Sequence, residues 1–251
     1  GSSGVADTQI MFEHVKRALI IGGTSGIGEA LARVMCAAGQ EVLTTGIEPD
    51  KIAKLNTEQL HGLSAAFFDA AASDATLELN TLLAGFGPWD CIVYSAGIGQ
   101  LNRGQPADIQ NRANQVNVLA FTTVADFAWR YFEQQGQGHF VCISSMAGLF
   151  GYHKAPAYHA AKSYQINYLE SLRQKAFHSG KPMYITDIRP GFVTTGMTEG
   201  KKLFWPVSAA QAAKIIYRHI EQHHDIGYVP GRWWLVAGLL NLLPAWIRKR
   251  F

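Results

Sequence analysis

Short apolar runs alternate along the chain with longer segments in which apolar residues recur every three or four positions. The short runs predict buried strands, and the longer segments predict amphipathic helices. The predicted strands cover residues 15–21, 42–45, 65–68, 91–94, 139–143 and 184–188, with 228–229 as a candidate seventh. The predicted helices cover residues 30–38, 49–60, 74–84, 109–134, 158–177 and 208–223.

Strands that alternate with helices of this length predict right-handed crossovers and a parallel sheet covered on both faces. The expected fold class is therefore α/β, a doubly wound parallel sheet of six or seven strands with helices on both faces. A chain of 251 residues without an internal repeat or a linker favours one domain, at residues 10–251. Residues 1–9 are set aside as a cloning scar, typified by Gly1-Ser2-Ser3-Gly4, and an N-terminal tail.

Composition excludes several classes of protein. With 48% hydrophobic and 16% charged residues, the chain is typical of a globular protein and not of a disordered or fibrous one. The net charge of +3 equals the contribution of the basic residues at 248–250, so the rest of the chain is neutral. We therefore expect no basic surface that binds nucleic acid. Three widely spaced cysteines predict free thiols, a reducing, cytoplasmic location and no metal site.

A glycine-rich loop joins the first predicted strand to the first predicted helix. Four glycines fall within the seven residues 22–28. Without side chains, backbone N–H groups can approach a pyrophosphate, and the helix N-terminus adds partial positive charge. A tight turn without a ligand is the alternative, but the cluster of glycines favours dinucleotide binding. The residues expected to contact the cofactor here are Gly22, Thr24, Ser25, Gly26, Ile27 and Gly28.

This loop resembles the Thr-Gly-x-x-x-Gly-x-Gly motif of the short-chain dehydrogenase/reductase family, in its single-domain branch of about 250 residues. Ile21 stands where the family carries threonine, so the hydroxyl of that threonine is missing. The resemblance extends over about residues 15–230. It implies a Rossmann-like fold that binds NAD or NADP.

Tyr158 and Lys162 are four residues apart and therefore share one helical face. A phenol has an ordinary pKa near 10, and a neighbouring ammonium favours the phenolate. Alone, the pair could be a surface contact between an aromatic ring and a cation. Ser145 lies 13 residues before Tyr158, which is the family's separation between its catalytic serine and tyrosine, and is preferred over Ser144.

The fourth catalytic residue implied by the resemblance is Asn117, with Asn114 as a neighbouring competitor. By resemblance, Tyr158 would exchange a proton with the substrate oxygen and Ser145 would orient that oxygen. Lys162 would favour the phenolate and hold the nicotinamide ribose, and Asn117 would position a water in the proton relay. The implied function is an NAD(P)-dependent oxidoreductase acting on the carbonyl or secondary alcohol of a hydrophobic small molecule. The alternative is a catalytically silent dinucleotide-binding regulator or sensor on the same fold.

Further cofactor contacts also follow from the resemblance. Ser95, Ala96 and Gly97 correspond to the family's Asn-Asn-Ala-Gly, although this segment begins Tyr94-Ser95. Asp69 resembles the family's adenine-binding aspartate. Alternatively, Asp69 could be a loop cap for the helix that begins near Asp74. The segment after the sixth strand resembles the family's Pro-Gly-x-Val-x-Thr, which holds the carboxamide. Its members here are Pro190, Gly191, Val193 and Thr195.

The end of the second strand bears on the choice of dinucleotide. A carboxylate there selects NAD, and an arginine accepts the phosphate of NADP. Residues 44–48 read Thr-Thr-Gly-Ile-Glu, so Glu48 comes one or two positions late and no basic residue occupies the turn. NADP and NAD both remain open, and NADP is narrowly favoured.

The last part of the chain is strongly apolar. Residues 196–206 occupy the family's mobile substrate lid, and their Met and aromatic side chains suggest an apolar substrate. Segment 233–251 is too short and too interrupted to span a membrane. A membrane-surface contact through 233–250, a cover over the pocket and an oligomer interface remain open. The family commonly forms homodimers or homotetramers.

His219 and His223 have ligand-like spacing but fit a solvated helix face better than a metal site.

Overall fold

The computed structural model describes residues 15–99, 106–194, 205–242 and 244–250. Its strands are β1 (Arg17–Ile21), β2 (Glu41–Gly46), β3 (Leu63–Phe67), β4 (Cys91–Tyr94), β5 (Gly138–Ile143), β6 (Met183–Pro190), β7 (Val193–Thr194), β8 (Val207–Ser208) and β9 (Ile226–Val229). Its α-helices are α1 (Gly26–Ala37), α2 (Pro49–Thr57), α3 (Ala75–Phe86), α4 (Ala107–Asn114), α5 (Phe121–Gln135), α6 (Pro156–Ser179), α7 (Ala209–Glu221), α8 (Trp233–Leu242) and α9 (Ala245–Arg248). A π-helical segment covers Gln115–Ala120, and a 3-10 turn covers Met146–Leu149.

A parallel sheet carries the fold. Seven strands pair in the order β3-β2-β1-β4-β5-β6-β9, every pair parallel. The order reverses direction between β1 and β4, which is the switch point where doubly wound sheets bind ligands. The register aligns Ile21 at the end of β1 with Thr45 in β2 and Tyr94 in β4. The predicted Rossmann-like α/β fold is confirmed.

The central strands read as continuous apolar runs because helices cover both faces of the sheet. Leu19 and Ile20 are neighbours in β1, and both are fully buried. Leu19 packs into one core with Phe121 of α5, whereas Ile20 packs into the other with Leu31 of α1. Each face of the sheet thus has its own core, and the loops at the carboxyl ends of the strands are held between them.

The largest difference from the predicted elements concerns the helix expected at 109–134. The structure divides it into α4, the π-helical segment Gln115–Ala120 and α5, which follow one another without a break. A π segment fits one extra residue into a helix turn, and apolar periodicity does not reveal it. The strand expected at 184–188 also continues to Pro190, because the polar Asp187 and Arg189 are buried in β6 and bond to each other.

The C-terminal helix α8 packs against the 3-10 turn that follows β5. Trp233 and Ala237 are buried there with Met146. Gly191 lies beneath the Trp233 ring, which occupies the space that a Cβ at position 191 would need. Among the described helices, none is long and apolar enough to cross a bilayer.

Candidate active site

A cavity of about 1100 Å³ opens along the carboxyl ends of the strands. The glycine loop, the β2–α2 turn, the segments after β4, β5 and β6, the start of α6 and the inner face of α8 all line it. The predicted site residues on its wall are Gly22, Thr24, Ser25, Gly26, Ile27, Asp69, Ser95, Ala96, Gly97, Ser145, Tyr158, Lys162, Pro190, Gly191 and Val193. Thr195, most of the expected lid and the N-terminal tail lie outside the described residues.

The glycine loop is shaped for close backbone approach. Gly22 has a φ of +79°, and a Cβ there would lie 2.5 Å from the backbone of Ala96. Gly28 lies under the loop and not on the cavity wall, because a Cβ at that position would come within 2.7 Å of the Gly22 carbonyl oxygen. The N–H groups of Gly22 and Gly23 both donate to the carbonyl oxygen of Thr45, which anchors the loop to β2.

Helix α1 points its N-terminus at this loop. Its N-cap residue, Ser25, makes no side-chain hydrogen bond to the first turn of the helix. The N–H groups of that turn are therefore not capped by this serine, and Gly26 and Ile27 of the turn line the cavity. An anionic group is the partner that such a helix N-terminus favours. The loop fits the pyrophosphate of a dinucleotide.

The catalytic candidates come together behind the glycine loop. Ser145 follows β5, and its Oγ accepts a hydrogen bond of 3.0 Å from the Ala147 N–H. Tyr158 lies in the first turn of α6, where its ring packs over Gly99 so closely that a Cβ there would approach within 2.6 Å. Lys162 is one turn further along α6 and is only 3% exposed, with its Nζ 5.9 Å from the centre of the Tyr158 ring.

Asn117 lies in the π-helical segment and is fully buried behind the cavity wall. Its side-chain amide donates to the Ile98 carbonyl at 2.6 Å and accepts from the Ile98 N–H at 3.2 Å. This two-way bond fixes the stretch after β4. A Cβ at Gly97 would lie 3.2 Å from Asn117 Oδ1 and 3.5 Å from Lys162 Nζ. Asn117 therefore stabilises the stretch after β4, which lies between the Asn117 side chain and the cavity.

Gln165 is the contact that the sequence analysis missed. It is fully buried, and its amide bonds to both Lys162 and the backbone carbonyl of Asn117. A signal was present, because Gln165 interrupts the buried face of α6 that continues through Leu169 and Leu172. A polar residue on a core-facing helical stripe needs a partner, and such a partner is often functional.

A buried ion pair supports the turn after β6. Arg189 Nε donates to Asp187 Oδ2 at 2.7 Å, and Ser144 Oγ donates to the other oxygen of the same carboxylate. Arg189 also reaches the Tyr228 hydroxyl at 3.3 Å. Ser144 and Ser145 both line the cavity, but the Ser144 hydroxyl is committed to the buried Asp187 carboxylate, whereas Ser145 Oγ accepts from the Ala147 N–H. This arrangement agrees with the choice of Ser145 over its neighbour as the candidate that can touch substrate.

The β2–α2 turn lines another part of the cavity. A Cβ at Gly46 would overlap the Thr24 hydroxyl, so this position has no room for a side chain. Glu48 and Lys51 both line the cavity and form an ion pair of 2.5 Å. Asp69 Oδ1 accepts from the Ala71 N–H at 2.9 Å, which closes a local turn. Lys51 was not singled out from the sequence because it lies one helical turn beyond the strand end.

Burial sets the protonation of two groups near the site. His159 is buried beside Tyr158, which lowers its pKa, and its Nδ1 bonds to the Phe150 carbonyl oxygen at 2.7 Å. Burial raises the pKa of Cys142, so its thiol stays protonated and donates toward Gln165 Oε1 at 3.8 Å. Neither group adds a charge to the cavity at neutral pH.

The histidines near the end of α7 do not share the solvated helix face that was expected of them. Helix α7 ends at Glu221, and His223 has a φ of +49° and stacks on Tyr184 with ring centres 3.9 Å apart. His219 Nδ1 instead lies 2.8 Å from His224 Nδ1. Over the described ranges, no group of three or more His, Cys, Asp or Glu side chains is arranged to hold a metal ion.

Comparisons with known proteins agree on one family. The model of the short chain dehydrogenase family matches residues 16–203. An uncharacterized oxidoreductase of Mycobacterium tuberculosis is 30% identical over 253 residues, covering 94% of this chain and 97% of the relative. A probable NADP-dependent dehydrogenase of Haemophilus influenzae is 26% identical over 218 residues, which cover 84% of each chain. A short-chain dehydrogenase/reductase from Burkholderia phymatum, solved in complex with NAD, has a TM-score of 0.81 at 19% identity, covering 91% of this chain and 94% of that one.

The family match covers well over half of the chain, and the mycobacterial relative is matched over nearly its whole length. At 19% identity, the structural likeness to the Burkholderia protein supports the fold alone. The resemblance drawn from the glycine loop and from the Tyr158–Lys162 spacing is confirmed. The chain belongs to the short-chain dehydrogenase/reductase family and is an NAD(P)-dependent oxidoreductase.

Proposed function

We propose that this enzyme transfers a hydride between NADP and the carbonyl or secondary alcohol of a hydrophobic small molecule, with Tyr158 as the acid–base group. One observation carries the proposal: Ser145, Tyr158 and Lys162 line the same cavity as the glycine loop. A nicotinamide cofactor, when bound, supplies or accepts the hydride. The side chains of the protein have to manage the proton and orient the oxygen.

Each catalytic side chain has one task in this proposal. Tyr158 gives a proton to the carbonyl oxygen during reduction and takes it back during oxidation. Ser145 donates a hydrogen bond to the same oxygen, which orients it and stabilises its developing negative charge. Lys162 places a positive charge beside the phenol, and this charge favours the phenolate over the neutral form. Lys162 would also hold the hydroxyls of the nicotinamide ribose.

An apolar substrate is supported by the wall of the cavity beyond Ser145 and Tyr158. The 3-10 turn, the loop after it, the turn between β6 and β7, and α8 supply mainly apolar side chains there. They are Met146, Phe150, Tyr152, Phe192, Trp233, Val236 and Leu240. Burying a hydrophobic substrate against such a wall gains about 25 cal/mol for each Å² of apolar surface removed from water. We infer that the preferred substrates carry an extended apolar group next to the reacting carbon.

The preference for NADP is supported by the β2–α2 turn. Thr24 fills the space beside Gly46, so a carboxylate that would select NAD cannot stand at the strand end. Lys51 brings a positive charge to the cavity wall, where it could leave Glu48 for a 2′-phosphate. A phosphate carries more negative charge than the Glu48 carboxylate and offers more acceptor oxygens.

Tyr158→Phe tests the catalytic proposal. The variant keeps the ring but loses the proton donor, so turnover of a carbonyl panel with NADPH should fall by about 100-fold or more. Binding of NADPH, measured by fluorescence titration, should change by less than about threefold, a difference below 1 kcal/mol. Tyr164→Phe is the matched control, because Tyr164 lies on the same helix but bonds to Thr122 away from the cavity. Turnover that survives in Tyr158→Phe would exclude Tyr158 as the acid–base group.

Turnover of the same substrate panel distinguishes the enzyme from the alternative, a catalytically silent dinucleotide sensor. If the wild-type chain binds NADPH tightly and turns over no ketone, aldehyde or secondary alcohol of the panel, the sensor function replaces the enzymatic proposal. The presence of Ser145, Tyr158 and Lys162 on one cavity wall favours turnover.

We further propose that α8 and α9 rest on an anionic phospholipid surface. The inner face of α8 is buried, yet its outer face is also apolar and exposed. Its exposed members are Trp234, Leu235, Leu239 and Leu242, and Trp246 of α9 is exposed as well. Exposed basic residues Lys249 and Arg250 end this segment. Apolar side chains beside basic ones match the composition of helices that lie in the interface of anionic membranes.

Co-sedimentation with vesicles tests this contact. We expect binding to vesicles that contain phosphatidylglycerol, and weaker binding to pure phosphatidylcholine. The double variant Trp234→Gln/Leu239→Gln should lose about tenfold in vesicle affinity because two apolar anchors are removed. Leu77→Gln/Phe177→Gln is the matched control, since it removes exposed apolar side chains from α3 and α6.

The same variants separate a membrane contact from an interface between copies. A homodimer or homotetramer is expected from the resemblance to the family. If sedimentation shows that Trp234→Gln/Leu239→Gln dissociates an oligomer, while vesicles bind neither protein, then the outer face of α8 covers a second copy and the membrane proposal is wrong.

A further inference from the structure

We propose that Gln165 is a positioning residue of the active site, whose side-chain amide ties the Lys162 ammonium to the backbone carbonyl of Asn117 in place of a water molecule. The inference rests on the roles proposed above for Tyr158 and Lys162. It assigns a function to a residue outside the four expected from the sequence.

The amide of Gln165 bridges two catalytic candidates directly. Lys162 Nζ donates to Gln165 Oε1 at 2.9 Å, and Gln165 Nε2 donates to the Asn117 carbonyl oxygen at 2.9 Å. Gln165 and Asn117 are fully buried, and Lys162 is 3% exposed. The connection is therefore made by protein atoms in a region shielded from solvent.

The chemistry of the partners fixes which way the amide points. An ammonium can only donate, so the oxygen of the amide must face Lys162. A carbonyl oxygen can only accept, so the NH₂ group must face Asn117. The reversed amide would place donor against donor and acceptor against acceptor. The observed orientation of Gln165 is thus the only one of the two that satisfies both neighbours.

The hydrogen bond between Lys162 and Gln165 fixes the orientation of the Lys162 ammonium. The ammonium has three N–H donors, of which one goes to the Ile143 carbonyl oxygen at 3.1 Å and one to Gln165. Both acceptors hold the ammonium from the side of the sheet and of α6. Lys162 also lines the cavity, with its Nζ 5.9 Å from the centre of the Tyr158 ring. Gln165 therefore restricts the rotation of the ammonium and directs it toward the reacting groups.

An amide also differs from water in its ability to relay protons. A water molecule can accept a proton on one side and release another, whereas a neutral amide exchanges protons poorly near neutral pH. Gln165 therefore anchors Lys162 without opening a proton path toward Asn117. We infer that the proton used by Tyr158 exchanges with solvent through the open mouth of the cavity.

Gln165→Met tests the proposal, because methionine keeps the length of the side chain and removes the amide. The expected loss in kcat is about tenfold or more, with KM for the carbonyl substrate changed by less than about threefold. The pH profile of alcohol oxidation should also differ from that of the wild type, because the ammonium loses an acceptor that orients it beside Tyr158. Fluorescence titration should show weaker NADPH binding, a readout that needs no turnover.

Two further variants separate positioning from structural support. Gln165→Ser leaves room for a water between Lys162 and Asn117, and it should recover part of the kcat lost in Gln165→Met. Cys142→Ala removes the other group that faces Gln165 Oε1 and leaves the amide in place. It should keep the pH profile of the wild type, whatever its effect on the melting temperature.

The proposal is overturned if Gln165→Met lowers only the melting temperature and leaves the pH profile and NADPH affinity unchanged. Failure of the proposed function gives a different pattern. In that case Tyr158→Phe would retain turnover, whereas Gln165→Met would still weaken NADPH binding through the displaced Lys162.

Discussion

At the scale of single residues, a buried histidine couples the stability of the sheet to pH. His139 of β5 is fully buried, and burial lowers its pKa from 6.5 to about 3. Thr186 donates its only hydroxyl proton to the His224 carbonyl, so His139 Nε2–H must be the donor to Thr186. Within the described part of the chain, His139 Nδ1 has no hydrogen-bond partner. Folding therefore requires the neutral ring.

We predict that this ring makes the protein less stable as the pH falls from about 6.5 toward 3. In that range the unfolded chain binds a proton at His139 and the folded chain does not, so acid favours unfolding. The contribution is at most about 1.4 kcal/mol for each pH unit. Urea denaturation across this range should show a flatter pH dependence for His139→Gln, whose amide can still donate to Thr186.

The exposed His178 provides the control for this measurement. His178→Gln should leave the pH dependence of the free energy of unfolding as it is in the wild type. A slope that is equally steep in His139→Gln would mean that other groups cause the acid destabilisation. A nearby candidate is His223, which stacks on Tyr184 beside the His139 ring and helps to lower the pKa of His139.

At the scale of elements, α7 begins with a complete capping box. Ser208 Oγ accepts from the Gln211 N–H at 3.2 Å, and Gln211 Oε1 accepts from the Ser208 N–H at 3.1 Å. We predict that Ser208→Ala lowers the free energy of unfolding by about 1 kcal/mol, because an N–H group of the first turn loses its acceptor. Ser171→Ala is the control, since Ser171 lies within α6 and bonds only to the Asn167 carbonyl of its own helix. Equal urea midpoints for the two variants would contradict a stabilising role of the cap.

The order of the elements could be predicted from the sequence because it depends on local periodicity. Strand β4 was predicted with its observed bounds, since its four apolar residues are buried on both faces. Gly22, Ser145, Tyr158 and Lys162 were identified by their spacing, and all line one cavity. The spacing of a motif survives folding, so these residues could be found without coordinates.

Other features depend on contacts between distant segments, so the sequence does not show which partners these residues meet. Gln165 acquires its role only when α6 packs against the π-helical segment that carries Asn117. Lys51 reaches the cavity because α2 turns it toward the end of β2. Asp187 lay inside the predicted strand 184–188 and Arg189 just beyond its end, and only the fold shows that the two form a buried ion pair.

At the scale of the whole molecule, cofactor binding should stabilise the fold, because the cavity is built from elements that are far apart in the chain. At a free concentration of 100 times Kd, a ligand that binds only the folded state adds about 2.7 kcal/mol to the free energy of unfolding. For a chain of this size we expect a rise in melting temperature of about 5–10 °C with saturating NADPH. At equal concentrations, NADH should raise it less.

The same thermal measurement tests whether Lys51 causes the preference for NADPH over NADH. Lys51→Gln should reduce the stabilisation by NADPH and leave that by NADH nearly unchanged, because only NADPH carries the 2′-phosphate. Lys54→Gln removes an equal charge from the exposed side of α2 and should alter neither. Equal stabilisation by the two cofactors in the wild type would contradict the preference for NADP.

The position of α8 has a consequence for the biosynthesis of the enzyme. The glycine loop comes early in the chain, but one wall of the same cavity is supplied by Trp233, Val236 and Leu240 of α8. A ribosome therefore releases α8 only after every strand of the sheet has been translated. A nascent chain that stops before residue 233 would carry the dinucleotide loop and the Tyr158–Lys162 pair while its substrate pocket was still open. The cavity wall is thus completed only after residue 240 has been translated.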